Sequence, residues 1–515
     1  MYNLSTILES SAAKYPNKPA FTFGNTTLSF LETNKKANQV ANGLKSLGIG
    51  MGDKVALSCF NSLDFPIIYF GIIKAGATVV PLSILLKPAE INYHLSDSDS
   101  VAYFCSEGAE FLPMSKMGHA GFQGVEHCKH FFVITNNPSS PSPFEGTGTL
   151  QELMAGQSTE FETALTNSED TCVIIYTSGT TGRPKGAQLT HSNLLNNAIV
   201  SADLMDTRSH DRTLIVLPMF HIFAMSVMMN STLYRGAHSI LMVRFVPQDV
   251  LANLQKHKIS VFGGVPTMYW ALLNYEGDEF DYAEIAKNLK VAGSGGAALP
   301  VQVLKDFKEK FDVDILEGYG MSESSGACTF NHLEIGTKAG SIGTPVWGME
   351  VKLVDSEGNE VPVGEKGELI YKGHSVMKGY YNRPKANAKT LKDGWLYSGD
   401  VAVKDEDGFY YIVDRTKDMI IRGGFNVYPR ELEEVIIQHE AVSLVAVIGV
   451  PNDKMGEEVK AFVVLEKDAT CTEQEIIQYA KSQLANYKYP RIVSFIDALP
   501  MSATGKILKK ELRKL

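Results

Sequence analysis

The chain has 515 residues, too many for one ordinary hydrophobic core, so about three domain-sized units are expected. Apolar residues make up 44% and charged residues 21%, the texture of a globular protein rather than a disordered one. With 48 basic against 58 acidic residues the formal charge is −10, which argues against general nucleic-acid binding, because phosphate neutralisation needs a basic face.

The chain opens MYNLSTILES, with no basic start followed by an apolar run, so no secretory signal is expected. From Phe65 to Leu86 it is almost all apolar, but Lys74 sits in the middle and Pro66, Gly71, Gly76 and Pro81 interrupt it. The stretch reads as a buried helix, a glycine turn and the strand Thr78–Leu82, rather than as a membrane span, which needs about 20 uninterrupted apolar residues. Cys59, Cys105, Cys128, Cys172, Cys328 and Cys471 form no CxxC pair, so reduced, mostly buried thiols in a cytoplasmic protein are expected.

The middle of the chain alternates strands and helices. Thr171–Tyr176 is a continuous β-branched run, like a strand covered on both faces, and a glycine-rich loop and a helix from about Ser192 follow it. Strands at Arg212–Leu217, Ser260–Gly263 and Asp314–Leu316 alternate with helices at Pro247–His257, Pro266–Tyr275 and Pro300–Phe311. This pattern predicts α/β sheets with ligand loops at strand ends. After Gly340, short strand-like runs (Val351–Val354, Glu368–Tyr371, Phe409–Val413) split by turn residues predict a small β-rich unit. The last hundred residues read as a compact α+β unit: helix Pro429–His439, strands Val442–Val450 and Lys460–Leu465, helix Thr472–Leu484 and strand Arg491–Ile496. Lys506, Lys509, Lys510, Arg513 and Lys514 cluster near its end, which leaves peripheral membrane contact open, as the sequence leaves open a homodimer.

The strongest local signal is Tyr176-Thr-Ser-Gly-Thr-Thr-Gly-Arg-Pro-Lys-Gly186. Glycines let backbone N–H groups turn toward an anion, hydroxyls add donors and Lys185 adds charge, so the segment reads as a phosphate-binding loop. It lacks the spacing of a Walker A loop. Further motifs follow in order: Leu217-Pro-Met-Phe-His221, Gly264-Val-Pro-Thr267, Gly293-Ser-Gly-Gly-Ala-Ala-Leu-Pro300, Glu317-Gly-Tyr-Gly-Met-Ser-Glu323, Gly394-Trp-Leu-Tyr-Ser-Gly-Asp400, Asp414-Arg-Thr-Lys-Asp-Met-Ile-Ile-Arg-Gly-Gly424 and Pro500-Met-Ser-Ala-Thr-Gly-Lys506. Together they resemble, over essentially the whole chain, the adenylate-forming superfamily of acyl- and aryl-CoA synthetases, luciferases and peptide-synthetase adenylation domains. The pattern most resembles bacterial medium- to long-chain fatty-acid–CoA ligases.

The resemblance implies an α/β fold: a large N-terminal domain (1–414) of two α/β sheet subdomains plus a β-rich subdomain (about 340–414), a hinge at 415–417, and a mobile α+β domain (418–515). It implies ATP, Mg²⁺ and coenzyme A as ligands. ATP or AMP would meet Thr177, Ser178, Gly179, Thr180, Thr181, Gly182 and Lys185, the backbone of Gly295, Gly296 and Ala297, and the run Glu317, Gly318, Tyr319, Gly320, Met321 and Ser322. Tyr319 would stack on adenine, Asp400 and Arg415 would hold the ribose beside Ile412, and Thr177 and Glu323 would hold the metal. Lys506, with His221 and Lys185, would be catalytic, steadying charge that develops at the α-phosphate. Phe220, His221, Val265 and Gly293 would line the acyl pocket, Gly423 and Gly424 would let the pantetheine arm pass, and Lys417 would be the hinge residue. Taken singly, each residue also has a plainer reading: Glu323 as a surface carboxylate, Tyr319 as core, Asp400 as a turn residue, Lys506 as a solvated tail lysine.

The segment Ile222–Asn230 has no carboxylate to pair an α-amine and no arginine for a second acid group. Its apolar, methionine-rich character suits an alkyl chain, although methionines of this kind also serve as plain core. A fatty acid is therefore the expected substrate, with an aryl or short acyl acid, or an acyl-AMP ligase loading a carrier protein, as alternatives. A nucleotide-binding regulator without catalysis is disfavoured by the presence of Lys185, Glu323, Asp400 and Lys506.

Overall fold

The computed structural model describes residues 2–177, 183–415, 418–423, 425–452 and 454–515, with Arg415 described by its backbone alone. Among these residues four sheets form. The first has eight strands, in the order Gly379–Tyr380, Lys185–Thr190, Thr171–Thr177, Thr78–Pro81, Lys54–Ser58, Ser100–Ser106, His130–Ile134 and Gly148–Thr149. The second has nine, running Thr344–Pro345, Thr329–Phe330, Ile315–Tyr319, Val291–Ser294, Val261–Gly264, Arg212–Ile215, His238–Leu241, Pro19–Phe23 and Thr26–Ser29. From Arg212 to Tyr319 the neighbouring strands are parallel, as the alternating pattern predicts. The expected β-rich unit is a five-stranded antiparallel sheet built from Met349–Val354, Lys366–Gly373, Trp395–Lys404, Leu391–Lys392 and Tyr410–Arg415. A further five-stranded sheet, Ile420 to Phe495, has its own buried cluster around Ile420, Leu432, Val447, Val463 and Ile476.

Two features depart from the sequence reading. Residues 19–29 add two strands to the second sheet, with Phe21 opposite Ser239 in parallel register. The glycine-rich segment is not followed directly by a helix: Lys185–Thr190 runs antiparallel to Thr171–Thr177, and the two strands pair as the stems of a hairpin. Alternation explains the return strand, because Ala187 and Leu189 are buried on one face. Thr190 then caps the helix His191–Leu204: its Oγ1 accepts the Asn193 N–H at 3.1 Å and Asn193 Oδ1 accepts the Thr190 N–H at 2.9 Å.

The apolar stretch at 65–86 is the helix Asp64–Lys74 and the strand Thr78–Pro81, both buried. Among the described residues no helix is long and apolar enough to cross a membrane. Lys74 is 1% exposed and is neutralised by Glu9, which also accepts the Thr163 hydroxyl. Several of the C-terminal cations have acidic partners. Lys509 pairs with Glu433, Arg513 with Asp418 and Lys514 with Glu511, while Lys506 turns into a cavity.

The C-terminal residues meet the rest of the chain through a few polar contacts. The Thr267 hydroxyl donates to the Gly505 carbonyl at 3.2 Å, and Lys366 lies 3.8 Å from the Tyr428 ring centre. Arg430 donates to the Ile412 carbonyl at 2.7 Å, and Glu434 accepts the Val301 N–H that opens the helix Val301–Phe311. Behind these lies Glu317, 2% exposed. One of its oxygens takes the Leu299 N–H at 3.2 Å, and the other is buried with no hydrogen-bond partner. Burial raises its pKa to about 7, against the opposing pull of Arg430; Glu434 adds to the rise.

Two outcomes are expected. Glu9→Ala strands the Lys74 ammonium in the core and should cost about 3–5 kcal/mol in urea unfolding at pH 7; a loss below about 1 kcal/mol would mean the ammonium has another outlet. Glu317 favours its neutral form when folded, so its contribution is fully present below the unfolded pKa of about 4.3 and is lost as pH rises through about 7. In thermal melts from pH 5 to 8, Glu317→Gln should therefore lose less stability with rising pH than the unsubstituted protein, and identical slopes would contradict the assignment.

Candidate active site

The loops that leave the carboxyl ends of four parallel strands converge on one cavity of about 1540 Å³. Arg212–Ile215 leads to Phe220 and His221, Val261–Gly264 to Val265, Val291–Ser294 to Gly295 and Gly296, and Ile315–Tyr319 to the run Gly320–Glu323. This is where open α/β sheets place ligands. The hairpin supplies Thr177 and Lys185, the β-rich sheet supplies Asp400, and the C-terminal loop supplies Lys506.

The charges on the wall are held by tyrosines. The Tyr380 hydroxyl donates to Glu323 Oε1 at 2.8 Å, and the Lys185 ammonium sits 4.0 Å from the Tyr380 ring centre. Burial lowers the Lys185 pKa, the nearby Glu323 charge offsets part of that, and Lys389 adds to the fall. The Tyr319 hydroxyl donates to Asp400 Oδ2 at 2.5 Å, which ties the expected adenine residue to the expected ribose carboxylate. Arg415 stands opposite Asp400 in the strand register. His221 Nδ1 accepts the Phe223 N–H at 3.4 Å, so the proton of the neutral ring rests on Nε2. Burial, and then the Lys506 charge, push the His221 pKa down to about 4, so the ring is uncharged at neutral pH.

Of the residues singled out in the sequence, the cavity brings together Thr177, Lys185, Phe220, His221, Val265, Gly295, Gly296, Gly318, Tyr319, Gly320, Met321, Ser322, Glu323, Asp400 and Lys506. Ser178, Gly179, Thr180, Thr181, Gly182, Lys417 and Gly424 lie outside the described residues. Glu317, Gly293, Ala297, Ile412 and Gly423 are not on the cavity wall. The Glu317 side chain turns to Leu299 instead, and a Cβ on Gly293 would meet Met205, with the Gly293 carbonyl taken by the Tyr269 hydroxyl at 2.6 Å. Ile412 offers its carbonyl to Arg430, and Gly423 donates its N–H to the Met455 carbonyl. Gly320 has a packing reason as well as a binding one, since a Cβ there would lie 1.4 Å from the Gly326 carbonyl oxygen.

The methionines of the 222–230 segment are core: Met225, Met228 and Met229 are buried, and Ile222, Phe223 and Val227 line the cavity instead. Residues Phe223–Asn230 form a π-helix, a wider turn that occurs mostly at functional sites. Sequence reasoning missed Tyr380, whose motif neighbours signal only a turn, and Ser294, whose buried hydroxyl on the cavity wall has no partner.

The donors suit a divalent cation. Thr177 and Glu323 offer hard oxygen ligands on one cavity, and among the described residues no three His, Cys, Asp or Glu gather into a protein-only cage. Such a pair fits Mg²⁺ that arrives on phosphates.

Residues 8–381 match the family model of the AMP-binding enzymes, and residues 431–506 match that of the AMP-binding enzyme C-terminal domain. The chain is 36% identical over 528 residues to a long-chain-fatty-acid–CoA ligase of Bacillus subtilis (strain 168), covering 99% of this chain and 94% of that one. It is 35% identical to a feruloyl-CoA synthase of Amycolatopsis sp, covering 97% and 96%. Among solved structures, an anthranilate CoA ligase in complex with anthranoyl-AMP superposes with a TM-score of 0.90 at 32% identity, covering 100% of this chain and 97% of that one. ATP-bound MatB from Rhodopseudomonas palustris gives 0.88 at 30% identity, covering 99% and 98%. The ordered motifs, the cavity and the whole-chain match agree: this protein belongs to the AMP-binding, adenylate-forming enzyme family.

Proposed function

We propose that the protein is an AMP-forming acid–thiol ligase that converts a medium- to long-chain fatty acid to its acyl-CoA through an acyl-adenylate. The observation that carries this reading is the gathering of Lys185, Glu323, Asp400 and Lys506 on one cavity, with Lys185 and Glu323 delivered by the large sheets, Asp400 by the β-rich sheet and Lys506 by the C-terminal unit. The acid is read as fatty because the wall formed by Ile222, Phe223, Val227 and Val265 is apolar, and because relatives of 36% identity are long-chain-fatty-acid–CoA ligases.

In the first step the substrate carboxylate attacks the α-phosphorus of ATP in line, and pyrophosphate leaves. Asp400, oriented by Tyr319, takes the ribose hydroxyls, and Tyr319 faces adenine. Lys506 places its cation where negative charge develops, a form of electrostatic preorganisation. Neutral His221 offers an Nε2–H to the acid without adding a charge. Thr177 and Glu323 would hold Mg²⁺, whose chemistry is to neutralise phosphate charge. In the second step the CoA thiolate attacks the acyl carbon and AMP leaves. The domain limits 1–414 and 418–515 belong to this proposal, with rotation at 415–417 exchanging Lys506 for Gly423 and Gly424. The polar contacts around Gly505 and Arg430 are of a kind that such an exchange can break and remake.

AMP release is the test. Purified protein with ATP should form AMP only with added acid, and fastest with medium- and long-chain fatty acids in the presence of CoA. A preference for benzoate-, anthranilate- or ferulate-like acids would move the reading to an aryl-CoA ligase, which the feruloyl-CoA synthase relative favours. Lys506→Ala should lower acid-dependent pyrophosphate release about 10²–10³-fold, yet leave thioester formation from supplied acyl-AMP within about threefold. Equal loss of both half-reactions would contradict the role given to Lys506.

A further inference from the structure

The cavity has a second wall that none of the motifs covers. The helix Pro88–Asp97 starts with proline in its first turn, and its Glu90 carboxylate accepts the Lys87 N–H at 2.9 Å. Tyr93 and Asp97, four residues apart, lie on one face of that helix. Each holds one stem of the glycine-rich hairpin. Asp97 accepts the hydroxyl of Tyr176 at 2.9 Å, on the strand that enters the glycine-rich segment. Tyr93 donates its hydroxyl to the Pro184 carbonyl at 2.7 Å, on the chain that leaves it. The Arg183 guanidinium lies 5.4 Å from the Tyr93 ring centre, and the His94 ring packs 4.4 Å from the Tyr176 ring.

One arginine closes the circuit. Arg383 forms an ion pair with Asp97 and donates to the Tyr93 hydroxyl at 3.4 Å. The Asp97 side chain is 11% exposed and that of Arg383 34%, so the carboxylate end of the pair is shielded while the guanidinium reaches water. Arg383 lies just past the strand Gly379–Tyr380, which pairs with the return strand of the hairpin, Tyr380 opposite Ala187. Tyr380 in turn holds Glu323 and carries the Lys185 ammonium on its ring. Fixing Arg383 on Asp97 therefore fixes three things: the stem at Tyr176–Thr177, the stem at Pro184–Lys185, and the strand that orients Glu323.

We propose that Tyr93, Asp97 and Arg383 form a positioning network that sets the spacing of Thr177, Lys185 and Glu323 for the triphosphate of ATP. The network acts through the residues it holds, on the nucleotide half of the reaction. The inference rests on the ligase reading for its kinetic test, but its binding test does not depend on turnover.

The experiment compares Asp97→Asn, Arg383→Gln, Arg383→Lys, Tyr93→Phe and the double variant Asp97→Asn/Arg383→Gln with the unsubstituted enzyme. Arg383→Gln and Asp97→Asn should each lower kcat/KM for ATP in acid-dependent pyrophosphate release about 10–100-fold. Thioester formation from supplied acyl-AMP should stay within about twofold. The double variant should be no worse than about threefold beyond the poorer single, since both remove one ion pair, and Arg383→Lys should recover part of the loss. A folded Arg383→Gln with unchanged ATP kinetics, equal loss in both half-reactions, or multiplying losses in the double variant would each overturn the proposal. If Arg383→Gln fails to fold, Tyr93→Phe, which deletes one hydroxyl, should still raise KM for ATP severalfold, and no change overturns the network. An unsubstituted protein that forms no AMP with any acid sinks the ligase reading instead. Calorimetric ATP affinity then decides the network: about tenfold weaker binding by Arg383→Gln supports it, and equal affinity overturns it.

Discussion

Charge gathered on the wall of a protein cavity has to be partnered, or folding bears the desolvation cost. In this molecule tyrosine hydroxyls and a tyrosine ring meet that constraint, and much of the site's geometry follows from them. Tyr380 gives its hydroxyl to Glu323 and its face to Lys185, and Tyr319 gives its hydroxyl to Asp400. A phenol is suited to this, because it donates one directed hydrogen bond and packs its ring like a core residue.

The second constraint is that the site is assembled from separate packing units. The loops after the parallel strands are set by one large core, whereas the segment that carries Lys506 is set by a small cluster of Ala446, Ile448, Phe462, Leu499 and Leu512. Between them lie single hydrogen bonds, one cation over a ring, and the carboxylate of Glu434 at a helix start. Polar contacts of this kind give register without deep burial. They help hold Lys506 in the cavity.

Much of the site was legible in the sequence because its motifs combine residue types that make little sense elsewhere: hydroxyls, glycines and a lysine after a buried strand, or a tyrosine and a glutamate in a glycine-rich run. The alternating texture also announced the parallel sheet and the antiparallel unit after Gly340. What stayed hidden depends on contacts across the chain. Tyr380 is an ordinary aromatic until pairing with residues 185–190 brings it beside Glu323. Glu317 looks like a ligand residue by its place in a motif, yet its side chain is buried toward Leu299. The methionines at 225, 228 and 229 are apolar in either role, and only packing shows that Ile222, Phe223 and Val227 face the cavity instead.

The partnership between Phe21 and Ser239 has a consequence for synthesis of the chain. The strand Pro19–Phe23 has its parallel neighbour encoded about two hundred residues later, roughly 10–40 s away at 5–20 residues per second of synthesis. Until then the apolar residues Ala20, Phe21 and Leu28 have only each other and the first helices to cover them. The hairpin of residues 19–29 is at best marginally stable by itself, and its edge stays open to foreign strands until that neighbour arrives. The nascent chain is therefore exposed to misassociation at this edge of the second sheet until residues 238–241 emerge.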